Sequence, residues 1–184
     1  MKKFNLLTLL LLFPAAIAIA QYQPGSKLVT FTGGWSLMNI SESSNSTGGF
    51  QTGGSFEQTS FNGNWAYGVA LNFIRVTDET SNGKAMYRTT PFTFQGKYLF
   101  GGSATKGFVQ ANFGLHNSKV EWDSRVILQN WDYGVVIGGG IGTHMFLSDK
   151  VFITVAYNIN WLQNSYYKNG VLHTFLGGIG FQFP

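Results

Sequence analysis

The constraint that most limits this chain is the alternation of its connections. Short turns are expected at Phe61–Trp65, Phe100–Lys106 and Leu147–Lys150. Long polar connections are expected at Asn39–Gly49, Thr77–Lys84, Asn117–Asn130 and Gln163–Gly170. Between them, apolar and polar residues alternate with period two. A strand shows that period because successive side chains leave opposite faces. Tight turns at one end and long loops at the other describe an all-β, antiparallel, up-and-down barrel crossing a membrane.

Val151–Trp161 carries the pattern most plainly. Val151, Ile153, Val155, Tyr157, Ile159 and Trp161 share one face, and Thr154, Asn158 and Asn160 share the other with Phe152 and Ala156. Trp131–Met145 repeats it, with Gly134, Gly138, Gly140 and Gly142 clearing space on the inner face, as a narrow barrel requires. Six further segments follow: Lys27–Asn39, Phe50–Phe61, Trp65–Val76, Ala85–Phe100, Gly107–His116 and Val171–Phe183. The facing of Phe50–Phe61 stays open, because Phe61 breaks the parity of Phe50 and Phe56. Eight strands place both chain ends on the short-turn side, and closure then pairs Lys27–Asn39 with Val171–Phe183. Closure is obligatory in lipid, where each unpaired backbone group costs several kcal/mol.

The first twenty residues read as an export signal. Lys2 and Lys3 precede an apolar Leu6–Phe13, and Ala18-Ile19-Ala20 is a small-x-small site before Gln21, so cleavage is expected between Ala20 and Gln21. Residues 21–184 then form one barrel domain. The chain has no Cys, which excludes a lipid-anchored amino terminus and a disulfide framework. Its formal charge of +4 falls to +2 without Lys2 and Lys3, leaving ten basic against eight acidic groups. No basic patch calls for nucleic acid. Charged residues make up 11% and aromatics 16%, too few charges to coat a soluble barrel of this size.

Aromatic residues gather at strand ends. Trp35, Trp131, Tyr133, Tyr157 and Trp161 fall at the long-loop end, and Trp65, Tyr98, Phe100, Phe181 and Phe183 at the short-turn end. Two such belts match the two interfaces of a bilayer. Together, the export signal, the eight alternating strands, the glycine-lined lumen and the terminal aromatic strand resemble the OmpA/OmpX-type small outer-membrane β-barrel family. The resemblance covers residues 21–184. It implies a Gram-negative outer membrane, long loops outside, tight turns in the periplasm, and contact with lipid and lipopolysaccharide. It also implies that Phe183 signals to the outer-membrane assembly machinery, although here Pro184 follows it. Members of the family have diverse functions, so the fold assigns little more.

Candidate chemistry is sparse. His116-Asn117-Ser118 resembles the His-x-Ser pair of outer-membrane lipid A deacylases, where a base activates a hydroxyl. Parity, however, points His116 into the lumen, and Lys119-Val120 does not continue that motif. His116, His144 and His173 lie on separate strands without ligand spacing, so no metal and no cofactor are expected. Glu57, Lys97 and Asp132 are expected to form a lumenal polar network, since unpaired charges there are costly. An eight-strand lumen is filled by side chains, which argues against a solute channel. The exposed loops carry Trp122, Arg125, Tyr166 and Tyr167, residue types that bind other surfaces. The expectation is a monomeric, non-enzymatic barrel with a structural or surface-loop role. The rivals are a lipid A-modifying hydrolase using His116 and Ser118, and a narrow porin-like channel.

Overall fold

The computed structural model describes residues 21–39, 47–80, 83–122, 131–165 and 170–184. These form eight antiparallel strands closed into one barrel: β1 Lys27–Asn39, β2 Thr47–Thr59, β3 Trp65–Thr80, β4 Gly83–Gly101, β5 Thr105–Trp122, β6 Asp132–Phe146, β7 Val151–Gln163 and β8 Gly170–Phe183. Each strand pairs with its sequence neighbours, and β1 closes on β8 from Lys27 opposite Phe183 to Asn39 opposite Val171. Every strand backbone therefore has a partner on both sides, and no edge is left for lipid to leave unsatisfied.

Two expected boundaries are corrected. Thr77–Lys84 is not a long loop: β3 and β4 continue through it, with Asp78 opposite Ala85 and Thr80 opposite Gly83. Likewise Asn117–Trp122 belongs to β5, opposite Ala85–Thr90 of β4. The strands β3, β4 and β5 thus run 16, 19 and 18 residues. A strand that crosses a bilayer needs only about 9–11, so these three are long enough to project beyond such a span, and their upper part forms a blade. The facing of β2 is also settled. The strand ends at Thr59, and Phe61 sits in the following turn, 95% exposed, so it never shared the strand's parity. Gln51, Glu57 and Thr59 turn inward, and Phe50 and Phe56 outward.

The lumen is not uniformly polar. At the short-turn end Leu28, Leu99, Phe108, Phe146 and Phe152 pack into an apolar plug with Tyr22. At the other end Met38, Ile74, Val76, Val136, Leu162 and Leu172 form a second. Between the plugs lies a polar layer around a cavity of about 60 Å³, enough for a few ordered waters.

That layer explains the glycines of β6. In register, Gly140 lies between Gln110 and Asn158, and Gly138 between Asn112 and Asn160. Gln110 Nε2 donates to Asn158 Oδ1 (3.0 Å) and Asn112 Nδ2 to Asn160 Oδ1 (2.7 Å), each bond spanning a whole strand. They can do so only because the strand beneath carries no side chain. A methyl at Gly138 would overlap Asn160 Oδ1 and the Ile159 carbonyl oxygen. The rings of Phe108 and Phe152 use Gly142 and Gly180 in the same way.

Residues 21–26, which precede β1, close the short-turn mouth. The Tyr22 ring is buried against Phe146, centroids 5.6 Å apart. The backbone N–H groups of Gln21, Tyr22, Gln23 and Gly25 donate to Asp149 Oδ1 (3.2 Å), Ser103 O (2.8 Å), Gln182 Oε1 (3.1 Å) and Ser60 O (3.0 Å). The segment is thus tied to all three short turns and to β8.

Candidate functional site

Two inner-wall clusters and one outer pair hold the candidate residues. The lower inner cluster spans three strands. Glu57 on β2 and Lys97 on β4 meet across β3, which sets the small residues Gly68 opposite Glu57 and Ala66 opposite Lys97. Lys97 Nζ donates to Glu57 Oε1 at 2.7 Å, with both side chains almost wholly buried. Ser55 Oγ donates to the same oxygen at 2.8 Å. Lys97 Nζ also lies 4.6 Å from the Phe108 ring centroid, a cation–π contact. The opposite side of that ring system continues into His144, stacked on Phe108 at 4.7 Å and edge-on to Phe152 at 4.9 Å. Neither His144 ring nitrogen has a hydrogen-bond partner among the described residues. Charges this deep need both a partner and donors to offset desolvation; Lys97 and Ser55 serve Glu57 Oε1, while Glu57 Oε2 has no hydrogen-bond partner among the described residues.

Asp132 does not join this pair. It sits at the opposite, long-loop rim, where its Oδ2 accepts from the Ser165 backbone N–H (2.8 Å) and the Ser165 hydroxyl. Those bonds hold its carboxyl below the ordinary carboxylate range. The expected three-residue network is therefore two separate features at opposite ends. Sequence parity placed all three inward but said nothing of depth.

The upper cluster brings His116 and Ser118 together. His116 Nδ1 lies 2.8 Å from Ser118 Oγ, which lies 3.1 Å from Thr89 Oγ1. The imidazole crosses the wall over Gly134 toward the Gln163 carbonyl of β7. His116 is 2% exposed and Ser118 0%. Both face the lumen, so the strand backbone separates Ser118 from the outer surface of the barrel. The arrangement staples β4, β5 and β7 by hydrogen bonds, and no nucleophile reaches the outer surface from it.

His173 faces outward. Its Nδ1 lies 2.8 Å from the Tyr157 hydroxyl, with the two rings stacked at 6.2 Å. The three histidines thus occupy three unrelated environments. Phe183 lies at the short-turn end of the outer face, opposite Lys27 and exposed. Ala20, Arg125, Tyr166 and Tyr167 lie outside the described residues, and Trp122 is described only as the last residue of β5.

The outer face is where sequence reading and structure meet most directly. Phe31, Trp35, Tyr67, Phe94, Phe113, Leu115, Ile137, Val155 and Phe175 are all exposed, as are the residues of both expected aromatic belts except Tyr157 and Phe181, which are half-buried. Above this girdle, on the blade, Glu121 accepts from Arg88 and Lys119, at 3.0 Å each. Its carboxyl is held low, first by the Lys119 hydrogen bond and then by the charges of Arg88, Lys119 and Arg75.

No protein-family model matches the chain, and no curated protein is similar to it at a significant level. Solved structures do match. Neisserial surface protein A superposes with a TM-score of 0.69 at 15% identity, covering 85% of this chain and 97% of that one. Ail, the attachment invasion locus protein of Yersinia pestis, gives 0.53 at 11% identity, covering 88% and 100%. The N-terminal β-barrel domain of Pseudomonas aeruginosa OprF gives 0.53 at 16%, again covering 88% and 100%. At these identities the likeness speaks for architecture alone. The architecture is that of the small eight-stranded outer-membrane β-barrels of the OmpA/OmpX type.

Proposed function

We propose that this chain is a non-enzymatic integral outer-membrane β-barrel with a structural role or one of interaction through its loops. One observation carries the reading: a closed barrel whose outward wall is an apolar girdle between two aromatic belts. In water such a girdle would be an exposed patch far larger than monomeric proteins tolerate. In a bilayer it meets hydrocarbon. The partners are then outer-membrane lipid and lipopolysaccharide around the wall, the assembly machinery through Phe183, and a surface ligand through the loops, with the barrel a monomer. The two apolar plugs and the Glu57–Lys97 pair argue for a closed lumen. The burial of His116 and Ser118 argues against lipid hydrolysis.

The test is purification with and without detergent. The protein should fold only with detergent or lipid, migrating faster on gels before boiling than after. A chain that stays folded and dissolved in plain buffer would overturn the reading. Lipid A acyl chains should be unchanged on expression of the wild type, His116→Ala and Ser118→Ala; a change that His116→Ala abolishes would restore the hydrolase. Planar bilayers should show no discrete conductance steps.

A further inference from the structure

The blade formed by β3, β4 and β5 orders its outward residues by chemistry. One rung runs Leu71, Phe92, Leu115 and Val135, in register across four strands. The next rung up includes Thr90, Asn117 and Tyr133. The rung above that is cationic: Arg75 opposite Arg88, and Arg88 opposite Lys119. It is flanked by Phe50 opposite Arg75 and by Trp131, whose ring lies 5.9 Å from Lys119 Nζ. Apolar, then hydroxyl and amide, then cationic is the order met on leaving a bilayer from its core.

The spacing agrees. Two residues advance a strand by roughly 6.8 Å, which a tilt of about 40° reduces to about 5 Å along the membrane normal. The headgroup layer is itself about 5–7 Å thick on each side. If Phe73 lies at the hydrocarbon boundary, Arg75 lies at the depth of the phosphates.

The charges of this rung are also not balanced from within. Like charges directly opposite one another on adjacent strands are destabilising, and Arg75 and Arg88 are such a pair. Glu121 accepts from Arg88 and Lys119. Arg75 forms no ion pair with a carboxylate among the described residues, and its side chain is exposed. Three cations against one anion leave a surplus beside Arg75, which makes no ion pair among the described residues.

We infer that Arg75, Arg88 and Lys119 seat a phosphate group of a bilayer lipid whose acyl chains lie on the apolar rungs below. Arg75 is the primary contact, because its planar fork is free to hold phosphate oxygens in pairs. Arg88 and Lys119 supply the surrounding positive field, and Phe50 and Trp131 bound the seat on either side. The seat rests on the membrane reading above, and it adds a lipid class and named contacts to it.

The test uses the full barrel in phosphatidylcholine nanodiscs doped with bisphosphorylated lipid A or its fully dephosphorylated form, with bound lipid counted by native mass spectrometry. The wild type should retain the phosphorylated form on the order of tenfold more strongly, since each cation near an anionic surface contributes a several-fold preference. Arg75→Gln should lose most of that preference, and Arg75→Gln with Arg88→Gln should lose it all. Lys150→Gln, in a turn at the opposite mouth, should keep it. Equal retention of the two lipids, or equal loss in Lys150→Gln, would overturn the seat. So would inorganic phosphate displacing the lipid at low millimolar concentration, which would mark a site for the free anion. A barrel that does not enter nanodiscs at all would defeat the membrane reading instead, so the two failures are distinguishable.

Discussion

Placing a single methyl group on Gly140 tests the account of the lumen directly. A Cβ there would overlap Asn158 Oδ1, and would lie 2.5 Å from the Tyr157 carbonyl oxygen and 2.9 Å from Asn158 Cγ. The side chain can swing away, but only by releasing the 3.0 Å bond from Gln110 Nε2. The backbone carbonyl can move only with β7. Overpacking of this kind costs about 1–3 kcal/mol. A buried amide left without its partner costs about 1–3 kcal/mol more. Replacing glycine returns about 0.4–1 kcal/mol through the unfolded chain. The net expectation for Gly140→Ala is a loss of about 1–5 kcal/mol, read as a lower urea midpoint in lipid vesicles by tryptophan fluorescence. Gly177→Ala is the control, because a methyl at Gly177, on the outer face, meets no atom within 4 Å; it should be neutral or slightly stabilising. Adding Asn158→Ala to Gly140→Ala should recover part of the loss, giving a coupling energy between the two sites. The reasoning is refuted if Gly140→Ala unfolds with the wild type, or if Gly177→Ala is equally damaging.

Lys97→Met should destabilise the barrel by about 3–5 kcal/mol, because it strands the Glu57 carboxylate, while Lys97→Met combined with Glu57→Gln should restore most of that in the same urea assay. Tyr22→Ala removes a buried ring from the lower plug and should cost about 3 kcal/mol, with backbone amide exchange rising first at Gln23 and Gly25, whose N–H groups hold the segment in place. Glu121 is held low in the folded state relative to its ordinary value of 4.5. Its contribution to stability is therefore full above that value and is lost as pH falls through the lower folded one; a midpoint-against-pH curve should show this acid limb and Glu121→Gln should flatten it.

Strand number and topology, and the facing of every strand but β2, were legible because the outward wall keeps a strict apolar alternation. Lys27–Asn39 was read to the residue for that reason. Where the solvent changes, the rule fails. Thr77–Thr80 is Thr-Asp-Glu-Thr, with no apolar residue to mark a face, so it reads as a loop in sequence although it stays paired and Asp78 is buried. Phe61 misled because a turn has no parity. The apolar plugs were hidden for a different reason. Leu28, Leu99, Phe108 and Phe152 sit on the inward face, where period two predicts polar residues, and only closure of the barrel brings them together. The β6 glycines announced empty space, but which side chains cross it depends on register across three strands. His116 and Ser118 are two apart on one strand, so their contact could be suspected. The reach of His116 over Gly134 to β7 could not.

The leading residues have a seat assembled from distant parts of the chain. Ser60, Ser103, Asp149 and Gln182 receive the backbone of residues 21–25, and they come from the β2–β3, β4–β5 and β6–β7 turns and the final strand. No subset of early strands offers that receiving surface. The docked amino end therefore exists only where three separate turns and the last strand have been brought to one mouth. In a chain cleaved after Ala20, an affinity handle joined directly before Gln21 would crowd that mouth, whereas one grafted into a loop on the far rim would leave it undisturbed.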